Sequence, residues 1–142
     1  MIPGGADFGM AIDEIRPPGL YPGAPYAYGT VAPPGRLLFC AGACPLDEDG
    51  NVVGPGRVTD QAARAVENLF AVLAEAGAGP ADVLKTTVFV ASTDHADLLA
   101  AWSVIHAAFE PHEPPSTLLG VTMLGYTGQL VELEAVAAVP GR

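Results

Sequence analysis

Cationic side chains are scarce in this sequence. Six lysines and arginines stand against 16 acidic residues in a chain of 142, which gives a formal net charge of −10. Contacts from Lys and Arg to phosphates supply most of the affinity of nucleic-acid binding, and a strongly acidic surface repels a polyanion. We therefore expect no nucleic-acid partner.

Cysteines and long apolar runs are also few. The two cysteines, Cys40 and Cys44, lie four positions apart, and such a pair predicts reduced thiols in a cytosolic protein instead of a disulfide framework. No apolar run reaches the roughly 20 residues that span a bilayer. Residues 1–9 lack a basic stretch followed by an apolar run, so we expect no signal peptide. These absences predict a cytoplasmic protein without a membrane partner.

The histidines show no metal-binding spacing. His95, His106 and His112 are scattered, whereas zinc ligands recur at short, fixed intervals. The glycine-containing turn at 125–128 has neither the spacing of a phosphate loop nor a following lysine. We predict neither a metal nor a cofactor.

Prolines divide the chain into two parts. Pro17, Pro18, Pro22 and Pro25 are incompatible with a continuous helix or a central strand, which predicts an irregular arm over residues 1–24. Residues 25–142 have the length of one domain with one core.

Hydrophobic patterning predicts six strands and two helices in this domain. The strand over 36–41 is almost entirely apolar, so we expect both of its faces to be covered. A polar turn at 47–51 predicts a hairpin onto the short strand that follows. The predicted strands cover 26–32, 36–41, 52–53, 82–91, 116–124 and 129–139.

Each predicted helix has an apolar stripe and a capping residue. The first is capped by Thr59 or Asp60 and ends before Gly77, and the second is capped by Thr93 or Asp94. The stripes consist of Ala62, Val66, Leu69, Phe70 and Leu73 in the first helix, and of Leu98, Leu99, Trp102, Ile105 and Phe109 in the second.

This order of elements predicts an α+β domain in which two helices cover one face of a mixed six-stranded sheet. The other face would then carry apolar side chains without a covering layer. Exposed apolar patches of that size mark assembly surfaces. We therefore expect the chain to associate with copies of itself.

Several segments resemble the Rid/YjgF family of reactive-intermediate deaminases, and the resemblance covers roughly residues 25–139. The longest is the strand 82–90, which follows the family's central pattern. Ala41-Gly42-Ala43-Cys44-Pro45 stands where the family has Ser-Gly-Gln-x-Pro. The other matching segments are Pro25-Tyr26, Gln61, Asn68-Leu69, Glu75-Ala76-Gly77 and Val131-Glu132-Leu133-Glu134-Ala135.

The resemblance implies a chorismate-mutase-like fold and a barrel-like homotrimer with a small-metabolite cleft between subunits. It also implies hydrolysis of enamines or imines to a carbonyl compound and ammonia. Glu132 matches a family glutamate that positions water, and we take it as the catalytic candidate. The expected substrate-binding residues are Tyr26, Gly42, Ala43, Cys44, Trp102, Ser116, Thr117 and Tyr126.

The sequence departs from the family at the carboxylate-binding position. The family motif Pro-x-Arg-Ser/Thr is replaced by Pro114-Pro115-Ser116-Thr117, so Ser116 stands in place of the arginine. An arginine holds a carboxylate through a planar, bidentate fork that serine cannot provide. Trp102 likewise stands where the family has an asparagine.

Several candidate residues have an ordinary structural interpretation as well. Glu132 and Glu134 lie on one face of a strand, either as an acid/base pair or as a pair satisfied by backbone amides or Lys85. Cys44 is either a nucleophile or an inert buried thiol. Ser116 and Thr117 form either a hydroxyl-lined site or an ordinary strand start. Tyr126 lies in the cleft wall or at a hairpin tip.

Three functions remain open at this stage. The first is a Rid-like hydrolase or deaminase whose substrate lacks a free carboxylate. The second is a ligand-binding or scavenging trimer without turnover. The third is a ribonuclease, which the net charge of −10 disfavours.

Overall fold

The computed structural model describes residues 11–141, which form six strands, two α-helices and one short 3-10 turn. Five of the predicted strands are present but shorter, because irregular backbone replaces their ends. The predicted strand at 52–53 is wrong, since Val52 forms only an isolated bridge to Leu46 across the polar turn. In chain order the elements are β1 (Asp13–Ile15), β2 (Gly29–Val31), β3 (Arg36–Phe39), α1 (Val58–Glu75), the turn Pro80–Asp82, β4 (Val83–Val90), α2 (His95–Phe109), β5 (Ser116–Gly120) and β6 (Val131–Val139).

The six strands form two sheets instead of the single six-stranded sheet that the sequence predicts. Four of them follow the order β3-β6-β4-β5, and β1 pairs only with β2. The main sheet is mixed, since β4 and β5 are parallel and the other pairs antiparallel. Thr30 Oγ1 donates to the Leu84 carbonyl at 2.6 Å, so β2 approaches β4 through a side chain and not through a backbone ladder.

The predicted arm contains regular structure. Asp13–Ile15 pair antiparallel with Gly29–Val31. No proline lies between Pro3 and Pro17, so the three residues of β1 escape the restriction. Arg16 follows directly and donates to the Tyr26 carbonyl at 3.0 Å. The first ten residues of the predicted arm lie outside the described part of the chain.

The first helix begins one residue before the predicted caps. It starts at Val58, its N-cap residue is Arg57 and no side chain caps it, so the predicted Thr59 or Asp60 cap is wrong. Asp60 instead lies in the first turn, where a negative charge interacts favourably with the helix dipole. The predicted stop is confirmed, since Gly77 has φ +81° just beyond the last helical residue.

The second helix has the predicted cap but a different buried face. Asp94 accepts a hydrogen bond from Ala96 N at 2.9 Å. The buried residues are Ala101, Ile105 and Phe109, spaced four apart. Leu99 lies about 200° around the helix from Ala101 at about 100° per residue. It is therefore 60% exposed, contrary to the predicted stripe.

The main sheet has one face covered by helices and one open face. Side chains alternate along β4, so that Val88 and Val90 are buried with the helices in the core. Apolar residues of the open face include Leu37 and Leu119, and Phe39 is 73% exposed. The expectation that both faces of β3 are covered is therefore wrong within one chain.

No described helix is long and apolar enough to cross a membrane.

Gln61 connects two loops to the first helix. Its side chain is fully buried. Nε2 donates to the carbonyls of Gly54 and Gly128 at 3.2 and 3.1 Å, and Oε1 accepts from Leu130 N at 2.6 Å. The loop before α1 and the loop before β6 are thus held together by one buried amide.

We expect the open face to mediate self-association. Phe39→Asp places a charge in its apolar part and should convert the assembly to monomers, because a buried unpaired charge is costly. Light scattering should give a mass near three times 14.5 kDa for the unmodified protein and near 14.5 kDa for the variant. Leu99→Asp, on the exposed side of α2, is the control and should leave the mass unchanged. An unmodified protein that is monomeric at micromolar concentration would contradict the prediction.

We expect Gln61→Leu to lower the free energy of unfolding by about 3 kcal/mol or more, since each buried group left unpaired costs about 1–3 kcal/mol. Urea unfolding at matched protein concentration measures this change. Glu67→Gln on the same helix is the control, because it removes only an exposed ion pair to Arg64 at 3.7 Å and should change stability by less than about 1 kcal/mol. Equal effects of the two substitutions would refute the anchoring role.

Candidate functional site

The nine site residues predicted from the sequence fall into two groups within one chain. Each group is centred on its own cavity, and no residue lines both cavities. The first group consists of Tyr26, Trp102, Ser116 and Thr117, and the second of Gly42, Ala43, Cys44, Tyr126 and Glu132.

The first cavity has a volume of about 490 Å³ and is lined by Tyr26, Ser116 and Thr117. The parallel pairing of β5 with β4, which sets Ser116 opposite Thr86, brings these residues together. Lys85 also lines this cavity, and its side chain is exposed. The sequence predicts Lys85 only as a partner for the pair of glutamates in the last strand. Strand alternation does not reveal which loops pack beside Lys85 and close a cavity there.

Ser116 is bound to the sheet. Thr86 Oγ1 donates to Ser116 Oγ at 2.7 Å, and Thr86 itself is buried. The Ser116 hydroxyl therefore keeps its own proton and one lone pair for a ligand. It brings no charge to the cavity.

Trp102 lies behind Tyr26 and does not line the first cavity. The two rings meet edge to face with centroids 6.4 Å apart, and His106 packs on the other side of the indole at 5.7 Å. Tyr28 adds a second edge contact to Tyr26 at 5.8 Å. Such aromatic pairs fix ring orientation, so Trp102 acts on the cavity by holding Tyr26.

The second cavity has a volume of about 560 Å³ and is lined by Gly42, Ala43, Cys44 and Tyr126. Ala43 exchanges two backbone hydrogen bonds with Leu133, at 2.7 and 3.1 Å, which anchors this segment beside β6. Asn68 Nδ2 donates to the carbonyls of Cys44 and Leu46 at 2.7 and 3.0 Å. The main chain of the cavity wall is therefore held on one side by the backbone of β6 and on the other by the Asn68 side chain.

Glu132 lies against this wall, half-buried, on the open face of the sheet. Its Oε1 accepts from Cys44 Sγ at 3.2 Å and from Gln129 Nε2 at 3.4 Å. A Cβ atom built on Gly42 would lie only 2.5 Å from Glu132 Cδ, so a larger residue at this position would force the carboxylate to shift. Gly42 thus leaves the space that the carboxylate occupies.

The Cys44 thiol is poorly suited to be a nucleophile. Burial, together with the hydrogen bond and the negative charge of Glu132, raises its pKa to about 11. The reactive form of cysteine is the thiolate, and a group with this pKa is a thiol at neutral pH. Burial also raises the pKa of Cys40.

Glu134 faces the same side of the sheet as Glu132, as the strand period predicts. It is exposed and lies opposite Thr87 of β4, whereas Glu132 lies opposite Phe89. Glu134 and Lys85 line a smaller cavity of about 230 Å³. Of these two carboxylates, Cys44 and Gln129 donate to Glu132.

Gln129 contacts Glu132, although the sequence does not predict it as a site residue. It is 3% exposed, and besides Glu132 it binds the Val131 carbonyl and the Tyr126 amide. A glutamine before a strand carries no sequence signal for such a role, because the role depends on the turn that brings it back onto β6. Among residues 11–141, no group of three or more His, Cys, Asp or Glu side chains is arranged to hold a metal ion.

The chain is similar to proteins of one family over most of its length. The family model for endoribonuclease L-PSP matches residues 19–139, which begins within the predicted arm. The RutC family protein UK114 of Drosophila melanogaster is 37% identical over 116 residues, 82% of this chain and 80% of that protein. The protein DfrA of Myxococcus xanthus is 33% identical over 113 residues, 80% of this chain and 84% of that protein.

Solved structures agree with this assignment. The Rid-family protein YyfB from Yersinia pestis is 32% identical, with a TM-score of 0.85 over 91% of this chain and 99% of that chain. A putative endoribonuclease from Thermotoga maritima is also 32% identical, with a TM-score of 0.67 over 83% and 89% of the two chains. The α+β fold inferred from the sequence is thereby confirmed, and the chain belongs to the Rid/YjgF family.

Proposed function

We propose that this protein is a cytoplasmic homotrimer whose intersubunit clefts hydrolyse an imine or enamine that lacks a free carboxylate. The observation that carries the proposal is the environment of Glu132. This carboxylate is half-buried, is bound through one oxygen, and lies against the glycine wall of a cavity of about 560 Å³. A positioned carboxylate of this kind is suited to general base catalysis.

The separation of the two cavities supports a cleft between subunits. Ser116 and Thr117 line one cavity, and Gly42 and Cys44 line the other. A second chain that packs on the open sheet face would bring the first group of one subunit toward the second group of its neighbour. The substrate would then contact both groups at once.

Hydrolysis in such a cleft needs water and one group that accepts and returns protons. The water oxygen bonds to the imine carbon while Glu132 accepts one water proton, and Glu132 then passes this proton to the nitrogen, which gives a carbinolamine. Transfer of the carbinolamine hydroxyl proton through Glu132 to the nitrogen lets the C–N bond break, so that the carbonyl forms, ammonia leaves and Glu132 is again a carboxylate. Backbone amides near Gly42 and Thr117 polarise the substrate. Cys44 takes no covalent part, because its raised pKa keeps it a thiol.

The substrate class follows from the serine in place of arginine. A charge-assisted hydrogen bond is worth about 1.5–3 kcal/mol, or roughly ten- to a hundredfold in affinity. Ser116 supplies no charge and is bound to Thr86 at 2.7 Å. A substrate whose group next to Ser116 is neutral therefore loses less binding affinity than an amino-acid imine, whose carboxylate would lie there.

A ligand-binding trimer without turnover is the second candidate. It is supported by the first cavity, where Ser116 and Thr117 offer hydroxyls and Lys85 is a lining cation, a set suited to binding a metabolite as well as to reacting with one. The family description and the Thermotoga maritima protein name an endoribonuclease, but the net charge of −10 disfavours that activity here.

We expect Ser116→Arg to raise the rate of hydrolysis of an amino-acid imine generated in situ by an amino-acid oxidase. The guanidinium would restore a charge-assisted contact to the carboxylate, with a gain of about tenfold or more in kcat/KM. Ammonia release measures the rate. Ser116→Met is the control, because it also breaks the bond to Thr86 but adds no charge.

A folded, trimeric Ser116→Arg variant with no gain would place the ligand-binding candidate ahead of the enzyme. An unmodified protein as fast as a relative that has the arginine would refute the proposed substrate class.

We expect no retention of single-stranded RNA at physiological ionic strength, because six cations oppose 16 acids. Fluorescence polarisation with a labelled oligonucleotide tests this. Saturable, salt-sensitive binding in the low micromolar range would instead favour the ribonuclease.

A further inference from the structure

Two neutral donors meet at the same oxygen of Glu132. Cys44 Sγ lies 3.2 Å and Gln129 Nε2 lies 3.4 Å from Oε1. Among residues 11–141, no hydrogen-bond partner is recorded for Oε2. That oxygen lies beside Gly42, whose Cβ position would be 2.7 Å away, and Gly42 lines the second cavity. The carboxylate is therefore held asymmetrically, with Oε1 bound by two donors and Oε2 beside Gly42.

The two donors are held to different degrees. The Gln129 side chain is buried, donates to the Val131 carbonyl at 3.1 Å and accepts from Tyr126 N at 3.2 Å. Asn68 holds the main chain of Cys44 at 2.7 Å, and Cys44 Sγ lies 3.2 Å from Glu132 Oε1 and 3.5 Å from the Gly42 carbonyl, so the carboxylate is the nearer acceptor. Groups held before a ligand arrives position a reacting atom at little entropic cost.

We propose that Cys44 and Gln129 are positioning residues that hold Oε1 of Glu132 and leave Oε2 to accept a proton from the attacking water. This inference rests on the proposed function, since it assigns the two residues a role in the same hydrolysis. It explains why a cysteine and a glutamine lie next to the carboxylate without a nucleophilic or metal-binding role of their own.

The protonation state of Cys44 supports this arrangement. Its pKa of about 11 means that the sulfur carries a proton throughout the physiological range. An S–H group is a weak donor, but a charged acceptor strengthens the bond. The thiol and the carboxylate are thus complementary at neutral pH, and the thiol proton is lost only in strongly alkaline solution.

The first experiment measures turnover of an imine substrate. Cys44→Ala should lower kcat about 10- to 100-fold with little change in KM, because a catalytic group displaced by about 1 Å loses rate on that order. Gln129→Leu should act in the same direction. Cys44→Ser keeps a donor and should restore most of kcat. Cys40→Ala is the matched thiol control and should retain wild-type kcat.

A Cys44→Ala variant with wild-type kcat would overturn the proposal, as would a Cys44→Ser variant no better than Cys44→Ala. Circular dichroism and light scattering on each variant separate these results from a loss of fold or assembly.

The second experiment does not depend on turnover. In a Cys40→Ala background, Cys44 is the single thiol, and its alkylation by iodoacetamide at pH 9 reports the thiolate fraction. Glu132→Gln removes the negative charge that helps to raise the thiol pKa, so alkylation should become several-fold faster. Glu134→Gln, on the same strand but without contact to Cys44, should leave the rate unchanged.

An equal rate in the Glu132→Gln and Glu134→Gln variants would refute the contact between Cys44 and Glu132, and with it the proposal. Absence of turnover by the unmodified protein would refute the proposed function instead. The alkylation rates would still decide whether Cys44 holds the carboxylate.

Discussion

The pairing of β4 with β6 determines which side of the sheet Glu132 faces. Val88 lies opposite Leu133 and Phe89 opposite Glu132. Because the side-chain period of a strand is two, a slip by one residue would place Glu132 against the helices and Leu133 on the open face. Burial of Leu133 in the core is therefore also what places Glu132 on the open face beside Gly42.

The same strand links the core to the cavity wall. Leu133 contributes its side chain to the core and its backbone to two hydrogen bonds with Ala43. Those bonds hold Gly42 next to the Glu132 carboxylate, which would have to shift to admit a larger residue. Packing and site geometry thus depend on one local pairing, and a change that weakens it affects both.

The two cavities differ in charge. Ser116, bound to Thr86, brings no charge to the first cavity, whose lining includes the exposed Lys85. The Glu132 carboxylate lies beside Gly42, which lines the second cavity. The proposed cleft between subunits would therefore have a cation on one side and a carboxylate on the other.

Two residues of the family pattern have structural roles that the pattern alone does not disclose. Gln61 is buried and connects two loops, and Asn68 holds the carbonyl groups of Cys44 and Leu46. Both side chains lie on α1, whose main task is to cover the sheet. They satisfy backbone groups that would otherwise be unpaired near the cavity.

The sequence by itself determined the element types, the two helices on one sheet face and the family. Hydrophobic period and glycine positions depend on local conformation, so the stop at Gly77 and the alternation in β4 were predictable. Strand ends and the division into two sheets were not, because they depend on how Thr30 and the residues around it meet β4.

Only the tertiary structure decided how the site residues are grouped. Strand period placed Glu132 and Glu134 on one face, but which of them has donors depends on the turn that returns Gln129 and on the loop that carries Cys44. The contact between Cys44 and Glu132 joins residues 88 positions apart, whereas Gln129 and Glu132 are only three positions apart but meet through a turn. Both contacts arise from packing, which no local pattern of residues encodes.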